Sequence, residues 1–303
     1  MLRKLLVSGM FCGLCGMSLY GADQAASAPK LTASQVVEKN VAARGGLQAW
    51  RGVETLKETG KMAAGGNDRS AKPVEVPGAR RPGGSAPLPS SPRLKEEAQL
   101  PFTLELERPR KQRLEIVFAG KTAIQVYDGT NGWKLRPYLN RLEVEPYTDE
   151  EQKLAAMQTE LDGPLVDYAA KGNKVELEGM EKVEDRDTYK LKVTMKDGHE
   201  THVWVDAQTF LEAKVEGEPR RMDGRIHQVE VYYRDYRAVN GLEMPFLLET
   251  RVVPLSARDP HYQPEKIAID KIVVNPKLEA ADFTKPQVTV AATSHAAPAP
   301  RHP

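Results

Sequence analysis

Cysteine is almost missing from this chain. Of 303 residues only Cys12 and Cys15 carry a thiol, and both fall in an N-terminal stretch laid out like a secretory leader. With that leader removed none remains, which excludes disulfide staples, thiol catalysis and cysteine-ligated zinc or iron–sulfur sites. An excess of one charge is missing as well. Lysine and arginine number 43 and acidic residues 42; without Arg3 and Lys4 of the leader the balance is 41 against 42. A broad nucleic-acid surface needs a clear basic excess, and aromatic residues, 6% of the chain, are not interleaved with basic ones as a stacking platform requires. Past the leader no apolar run approaches the ~20 residues of a membrane-spanning helix. Neither a G-x-x-x-x-G-K-[ST] loop, a G-x-G-x-x-G turn after a strand, nor a G-x-S-x-G elbow occurs, so the usual phosphate cradles and hydrolase nucleophile are not encoded.

What is present starts with the leader, residues 1–22. A basic start, Arg3-Lys4, precedes an uncharged apolar run from Leu5 to Leu19 and then small residues, the order of a secretory signal. Cleavage is expected near Ala22, with Ala26 and Ala28 as alternatives because Tyr20 is bulky three positions upstream; an uncleaved N-terminal anchor is the competing reading. Phe11 and Leu14 precede the two cysteines where a lipid-attachment box wants a small residue. The expected product is exported and periplasmic, in a Gram-negative-type bacterium. Residues 63–98 hold six prolines and five glycines and too few apolar side chains to offset ordering entropy. They read as a disordered insertion in a hairpin, or else as a docking arm for an anionic partner. The Ala/Pro-rich tail, 287–303, reads as disordered. One domain, 31–286, is left.

Within it Thr32 to Arg44 is a helix, opened by a capping box of Thr32 and Gln35 and closed by Gly45-Gly46. Val53 to Met62 is a first strand. Period-two alternation then recurs at Phe102-Leu104-Leu106, Leu114-Ile116-Phe118, Ile124-Val126 and Trp133-Leu135, with turn residues between, the habit of antiparallel strands with one apolar face. Thr148 and Glu151 form a second capping box, with Leu154, Met157 and Leu161 on one stripe; Asp162-Gly163-Pro164 breaks that helix, and Leu165 to Lys171 is expected to resume it. Strands return from Val175 to Val274. The predicted fold is mainly β with helices (α+β): an unclosed antiparallel sheet of about eleven strands covered by two or three helices.

No catalytic set stands out. His199 and His202 lack the H-E-x-x-H spacing and point to opposite sides of a strand, so they read as surface residues and no metal or other cofactor is expected. Glu105 and Glu107 share a wet strand face; a glycosidase pair needs a defined separation across a cleft, which sequence does not supply. A one-sided apolar sheet with few helices to cover it can instead hold an acyl-type ligand between sheet and helices. The expected lining is Leu104, Leu106, Leu114, Ile116, Phe118, Ile124, Val126 and Trp133, with Leu154 and Met157 from the second helix.

Several stretches resemble the LolA-like outer-membrane lipoprotein-sorting proteins. They are Val36-Val37-Glu38-Lys39, Ala43-Arg44-Gly45-Gly46, Gly60-Lys61-Met62, Asp162 to Tyr168 and Tyr189 to Asp206. Arg108-Pro109, the run Asp128-Gly129, Trp133 and Pro137, and Ala281-Asp282-Phe283 with Pro286 are similar to the lipoprotein carrier of that group. The resemblance implies an unclosed half-barrel covered by helices and makes Arg108 the latch that bonds the helical lid over the empty cavity. It also implies a periplasmic, non-enzymatic carrier or binding protein for a lipid or acylated lipoprotein, acting as a monomer between an inner-membrane donor and an outer-membrane acceptor. An envelope sensor or scaffold of the same fold is the alternative. The insertion at 63–98 departs from the compact carrier.

Overall fold

The computed structural model describes residues 31–64, 98–137, 141–158, 160–222, 225–253 and 264–287. The expected leader, the body of the 63–98 insertion and the tail beyond Gln287 lie outside the described residues.

Three helices precede or interrupt the strands. Helix α1 (Ala33–Ala43) is capped as the sequence predicts: Thr32 Oγ1 accepts from Gln35 N at 3.3 Å while Gln35 Oε1 accepts from Thr32 N at 2.9 Å. Gly45 ends it at φ +108°, where an added Cβ would lie 2.3 Å from the Gly241 carbonyl oxygen, so only glycine lets the chain pass the β-turn beneath it. The short helix α2 (Leu47–Arg51) follows. Val53 N then donates to Trp50 O at 3.1 Å, which holds Val53 in the turn and delays the first strand to Thr55. Helix α3 (Asp149–Gln158) carries the second capping box, Thr148 with Glu151.

Thirteen strands follow in chain order: β1 (Thr55–Ala64), β2 (Ala98–Glu107), β3 (Lys111–Phe118), β4 (Lys121–Tyr127), β5 (Gly132–Arg136), β6 (Arg141–Pro146), β7 (Lys174–Val183), β8 (Arg186–Thr194), β9 (Glu200–Asp206), β10 (Glu212–Met222), β11 (Arg225–Val239), β12 (Leu242–Val253) and β13 (Glu265–Val274). They form one sheet in the order β6-β5-β4-β3-β2-β1-β13-β12-β11-β10-β9-β8-β7, and the described pairings are all antiparallel. The chain thus runs out through one meander, β1 to β6, and back through a second, β7 to β13, whose last strand pairs with the first. Strands β6 and β7 are unpaired edges, so the sheet is open rather than closed. The sequence reading of about eleven strands omits β6, whose Leu142 is 60% exposed; on an edge the alternation has little core to report.

Turn chemistry explains the meander. Asn240 and Gly241 both have positive φ, 50° and 82°, and join β11 to β12 in a two-residue hairpin with Val239 opposite Leu242, the primed turn that Asn-Gly favours. The expected resumption of helix from Leu165 to Lys171 does not occur: residues 161–172 are consecutive turns. Gly163, Asp167 and Gly172 take φ of 74°, 54° and 81°, a left-handed conformation that interrupts α-helix three times. This segment, Glu160–Asn173, is called the strap below.

Cross-strand register assigns the two faces. Leu56, Glu58, Gly60 and Met62 of β1 stand beside Leu106, Leu104, Phe102 and Leu100 of β2, and this inner face continues through Ile272, Leu248, Tyr233, Val215 and Val203. The outer face carries alternate residues, and there the lysines, arginines and glutamates pair across strands, as Lys57 does with Glu105 at 2.7 Å. The core sits where α1, α2 and the strap meet the inner face: Val36, Trp50, Leu56, Leu165, Val166 and Leu242 are each at most 1% exposed. Trp50 closes the gap between helix and sheet, its Nε1 donating to Arg44 O at 3.1 Å and its ring lying 4.3 Å under the Arg44 guanidinium. Trp50→Ala is therefore expected to lower unfolding free energy by ~3–5 kcal/mol, and Thr32→Ala by about 1 kcal/mol, both measured by urea unfolding followed with far-UV circular dichroism.

Candidate functional site: two adjoining cavities under a salt-bridged strap

The strap is fastened by carboxylates. Asp162, 3% exposed, receives Arg108 Nη2 on Oδ2 at 2.8 Å and Lys171 Nζ on Oδ1 at 2.5 Å, while its carbonyl oxygen accepts from Arg44 Nη1 at 3.0 Å. Glu160 takes Arg110 Nη2 at 3.0 Å and lies 3.1 Å from Lys171 Nζ. Asp167 accepts Arg51 through both oxygens, at 2.7 and 2.8 Å, and that guanidinium holds its carboxyl below the usual carboxylate range. Arg108, on the turn between β2 and β3, also donates from Nε to Val53 O at 2.7 Å and from Nη2 to Trp50 O at 3.2 Å. One side chain thus ties the end of α2, the approach to β1 and the strap together. A buried carboxylate holding several cations is costly to disrupt from one side, because the partners are left desolvated and unpaired.

Two cavities lie between strap and inner face. The larger, about 810 Å³, is bounded by the strap, by Lys153 and Ala156 of α3, and by the turn from Met195 to His199. Its floor includes Val203, Val215 and Tyr233, and its rim carries Arg110, Lys153, Lys171 and Lys196 with Glu160, Asp197, Glu216 and Glu218. The smaller, about 200 Å³, is lined by Trp50, Leu56, Leu161, Leu165, Leu248 and Ile269 and by the polar groups of Arg44, Glu58, Glu212, Tyr233 and Tyr236. Gly163, Pro164, Val203, Val215 and Tyr233 border both.

The smaller cavity has unusual electrostatics. Arg44 Nη1 reaches Glu212 Oε1 at 3.1 Å, and Tyr236 Oη donates to Glu212 Oε2 at 3.2 Å. Glu58, by contrast, stands on the apolar face with no hydrogen bond or ion pair to another described residue, and burial raises its carboxyl to about 7. Burial likewise pushes the Tyr233 phenol up to about 12 and raises that of Tyr236 further. The arrangement suits binding of a largely apolar body with one polar end.

The ten residues expected to line a ligand site separate. Leu104 faces Leu114, and Leu106 stands beside Leu56, on the inner face; Ile116 and Phe118 share that side by alternation. Ile124 and Val126 belong to the outer face, where they sit opposite Glu115 and Arg113, with Trp133 beside Val126. The β3–β4 hairpin sets Phe118 against Lys121, so the alternation of β4 is out of phase with that of β3. Near this outer patch the C-terminal turn Ala280–Phe283 docks, Arg113 Nη1 donating to Asp282 O at 3.0 Å. Leu154 is half-buried on α3, and the Met157 side chain is outside the described residues. None of the ten borders either cavity. The residues that do include Glu58, Val203, Val215 and Tyr233. Glu58 has a sequence signal, a carboxylate at the apolar parity of Leu56 and Met62; the others have none, since their face depends on strands far away in sequence. Of the candidate polar sites, His202 Nδ1 lies 2.6 Å from Glu216, Glu107 pairs with Lys111 at 2.5 Å, and His199 is on the rim of the larger cavity. No helix among the described residues is long and apolar enough to cross a membrane.

No protein-family model matches this chain, and neither does any curated protein. Among solved structures it is similar to a LolA superfamily protein from Nitrosomonas europaea (14% identity over 84% of this chain and 99% of that one, TM-score 0.48). It is also similar to a putative outer membrane lipoprotein-sorting protein domain from Vibrio parahaemolyticus (12% identity, 82% and 95%, TM-score 0.48) and to a DUF1329 family protein from Desulfovibrio piger (12% identity, 84% and 98%, TM-score 0.47).

Glu58 makes stability fall with pH. Its folded value, about 7, is above the unfolded value, so the folded state binds the proton more tightly. Its contribution is whole below the unfolded value near 4.5 and is lost as pH rises through 7. Glu58→Gln should thus be more stable than the parent near pH 8 and nearly equal to it near pH 4, by urea unfolding at both. Equal stabilities at pH 8 would show that the carboxyl is solvated.

Proposed function

We propose that this protein is a non-enzymatic carrier or binding protein for a lipid or an acylated lipoprotein, working in the periplasm as a monomer. The observation that carries this reading is the pair of adjoining cavities on the inner face, apolar in their floors and closed by a strap held through side-chain ion pairs. The larger, about 810 Å³, falls within the ~300–1,000 Å³ typical of small-molecule sites. An acyl chain entering it gains roughly 0.8 kcal/mol per buried CH₂, so a run of ten such groups supplies about 8 kcal/mol. That gain offsets much of the cost of parting the strap's ion pairs, and the strap can shift without unpairing any strand.

The half-buried stripe of Leu104, Leu106, Leu114 and Ile116 continues the inner face past the smaller cavity. It gives a longer or branched acyl ligand somewhere to extend. Arg108 is the natural latch in this scheme, because it bonds α2, the approach to β1 and Asp162 together. Exchange with a donor and an acceptor protein would then proceed through opening of the strap.

Binding of a long-chain fluorescent fatty acid to the purified full-length protein tests the reading. Arg108→Leu is expected to speed both uptake and release about tenfold, the equivalent of ~1.4 kcal/mol off the closure barrier, with a midpoint of binding near the parent's. Ala156→Trp, which narrows the larger cavity from α3, should weaken binding by a similar factor. A protein that takes up no probe, and that carries no lipid in native mass spectrometry after purification from its own envelope, is not a carrier.

A further inference from the structure

The smaller cavity holds a polar group that its own structure does not use. Four other charged or phenolic groups lining it have side-chain partners, although Arg44 Nε and Glu160 Oε2 carry no hydrogen bond. Arg44 is paired with Glu212 at 3.1 Å, Glu160 with Arg110 and Lys171 at 3.0 and 3.1 Å, and Tyr236 donates to Glu212. Glu58 and the Tyr233 hydroxyl have no hydrogen-bonding partner among the described residues, although the two lie within electrostatic reach of each other. Glu58 comes from β1 and Tyr233 from β11, so two separate strands of the sheet each bring a polar group without a protein partner to one chamber. Both groups are half-buried and line the chamber, so a ligand entering it meets two polar groups that the described residues leave free. A carboxyl half-buried beside Leu56, Leu248 and Ile269 is in a setting where a cationic partner is favourable.

The chamber's size and charge narrow what that is. At about 200 Å³ it has room for a head group or a few waters, each of roughly 30 Å³, and not for a long chain. The larger cavity beside it shares the wall of Val203, Val215 and Tyr233. A ligand with its apolar body in the larger space therefore places one end beside Glu58. Once the pairs above are set aside, the uncompensated charge is the single negative one of Glu58. It attracts a cation and repels the carboxylate or phosphate that ends many lipids.

We propose that the smaller cavity is a head-group site for a ligand carrying a protonated amine at one end of an apolar body, with Glu58 as the counter-ion and Tyr233 as a second polar contact. The inference deepens the carrier reading and rests on it: the same ligand fills both cavities, and Glu58 selects its polar end. Selection grows as Glu58 ionises and fades in acid. Arg44, Glu160, Glu212, Tyr233 and Tyr236 face the same space, and burial raises the two phenols.

The test uses the full-length protein and three ligands of equal chain length: a long-chain alkylamine, the alcohol and the carboxylate. Each displaces a fluorescent acyl probe below its critical micelle concentration. Near pH 8 the amine is expected to bind at least tenfold more tightly than the alcohol and the carboxylate more weakly than either. Near pH 5 the amine's advantage should shrink to under threefold. Glu58→Gln, nearly isosteric and checked for folding by circular dichroism, should lower amine affinity about tenfold near pH 8 and leave the alcohol within twofold. Binding of alcohol and carboxylate with no preference for the amine, or a Glu58→Gln variant that weakens all three alike, overturns this inference while leaving the carrier reading intact. No binding by any of the three overturns both.

Discussion

Asp162 is the point at which the chain's distant parts are tied together. It is nearly fully buried, and a carboxylate in that position is tolerated only if its oxygens are filled. Lys171 fills one from within the strap and Arg108 the other from the β2–β3 turn, while the backbone carbonyl of the same residue holds Arg44. Arg44 in turn lies over Trp50 and reaches Glu212 on β10. Helix ends, strap and both meanders therefore meet at one residue. The strap is held across the inner face by these charges and by the buried Leu165 and Val166, and the cavities lie beneath it. Opening such a lid uncovers Leu165 and Val166 as well as parting the ion pairs, so the apolar surface a ligand buries has to replace theirs.

The open sheet makes this necessary. Each meander ends in an unpaired edge strand, β6 or β7, and the inner face of so wide a sheet exceeds what two short helices and a strap can cover. Its outer face solves the same problem differently. There Lys214 lies 3.9 Å over the Trp204 ring and Arg251 4.1 Å over Tyr232, while Glu184 bonds Arg234 and Arg251 and is held at about 2 by those guanidiniums. Long cationic side chains laid on aromatic rings shield the outer sheet from water without a covering helix. Burial inside is left for the face with the cavities, and there Glu58 interrupts the apolar parity of β1 between Leu56 and Met62.

Much of the architecture was readable from local pattern. The capping boxes at Thr32 and Thr148, the glycine stop after Arg44 and the Asn-Gly hairpin all operate over two to four residues, and each appears where the local chemistry places it. Antiparallel strands in sequence likewise follow from alternation and turn residues. The strap was not readable, because its breaks at Gly163, Asp167 and Gly172 compete with an apolar spacing that looks helical, and three of its ion pairs join residues fifty or more positions apart. The lining residues were only partly readable. Alternation shows that one side of each strand is apolar, but the phase between neighbouring strands is set by the turn, and at β3–β4 that phase puts Ile124 and Val126 on the opposite side from Leu114 and Ile116.

The amino-acid sequence by itself determined the class of fold, an antiparallel sheet with one apolar face and few helices, together with the helix caps and most of the turns. These depend on neighbours within a few residues, and the side chains present leave little choice. Only the tertiary structure decided which part of that apolar face stays uncovered, that Asp162 becomes a buried anchor, and that Glu58 and Tyr233 share a chamber. Those outcomes depend on β13 returning to pair with β1 and on the strap crossing the sheet. Such long-range register is a property of the whole assembled sheet, and no local pattern carries it.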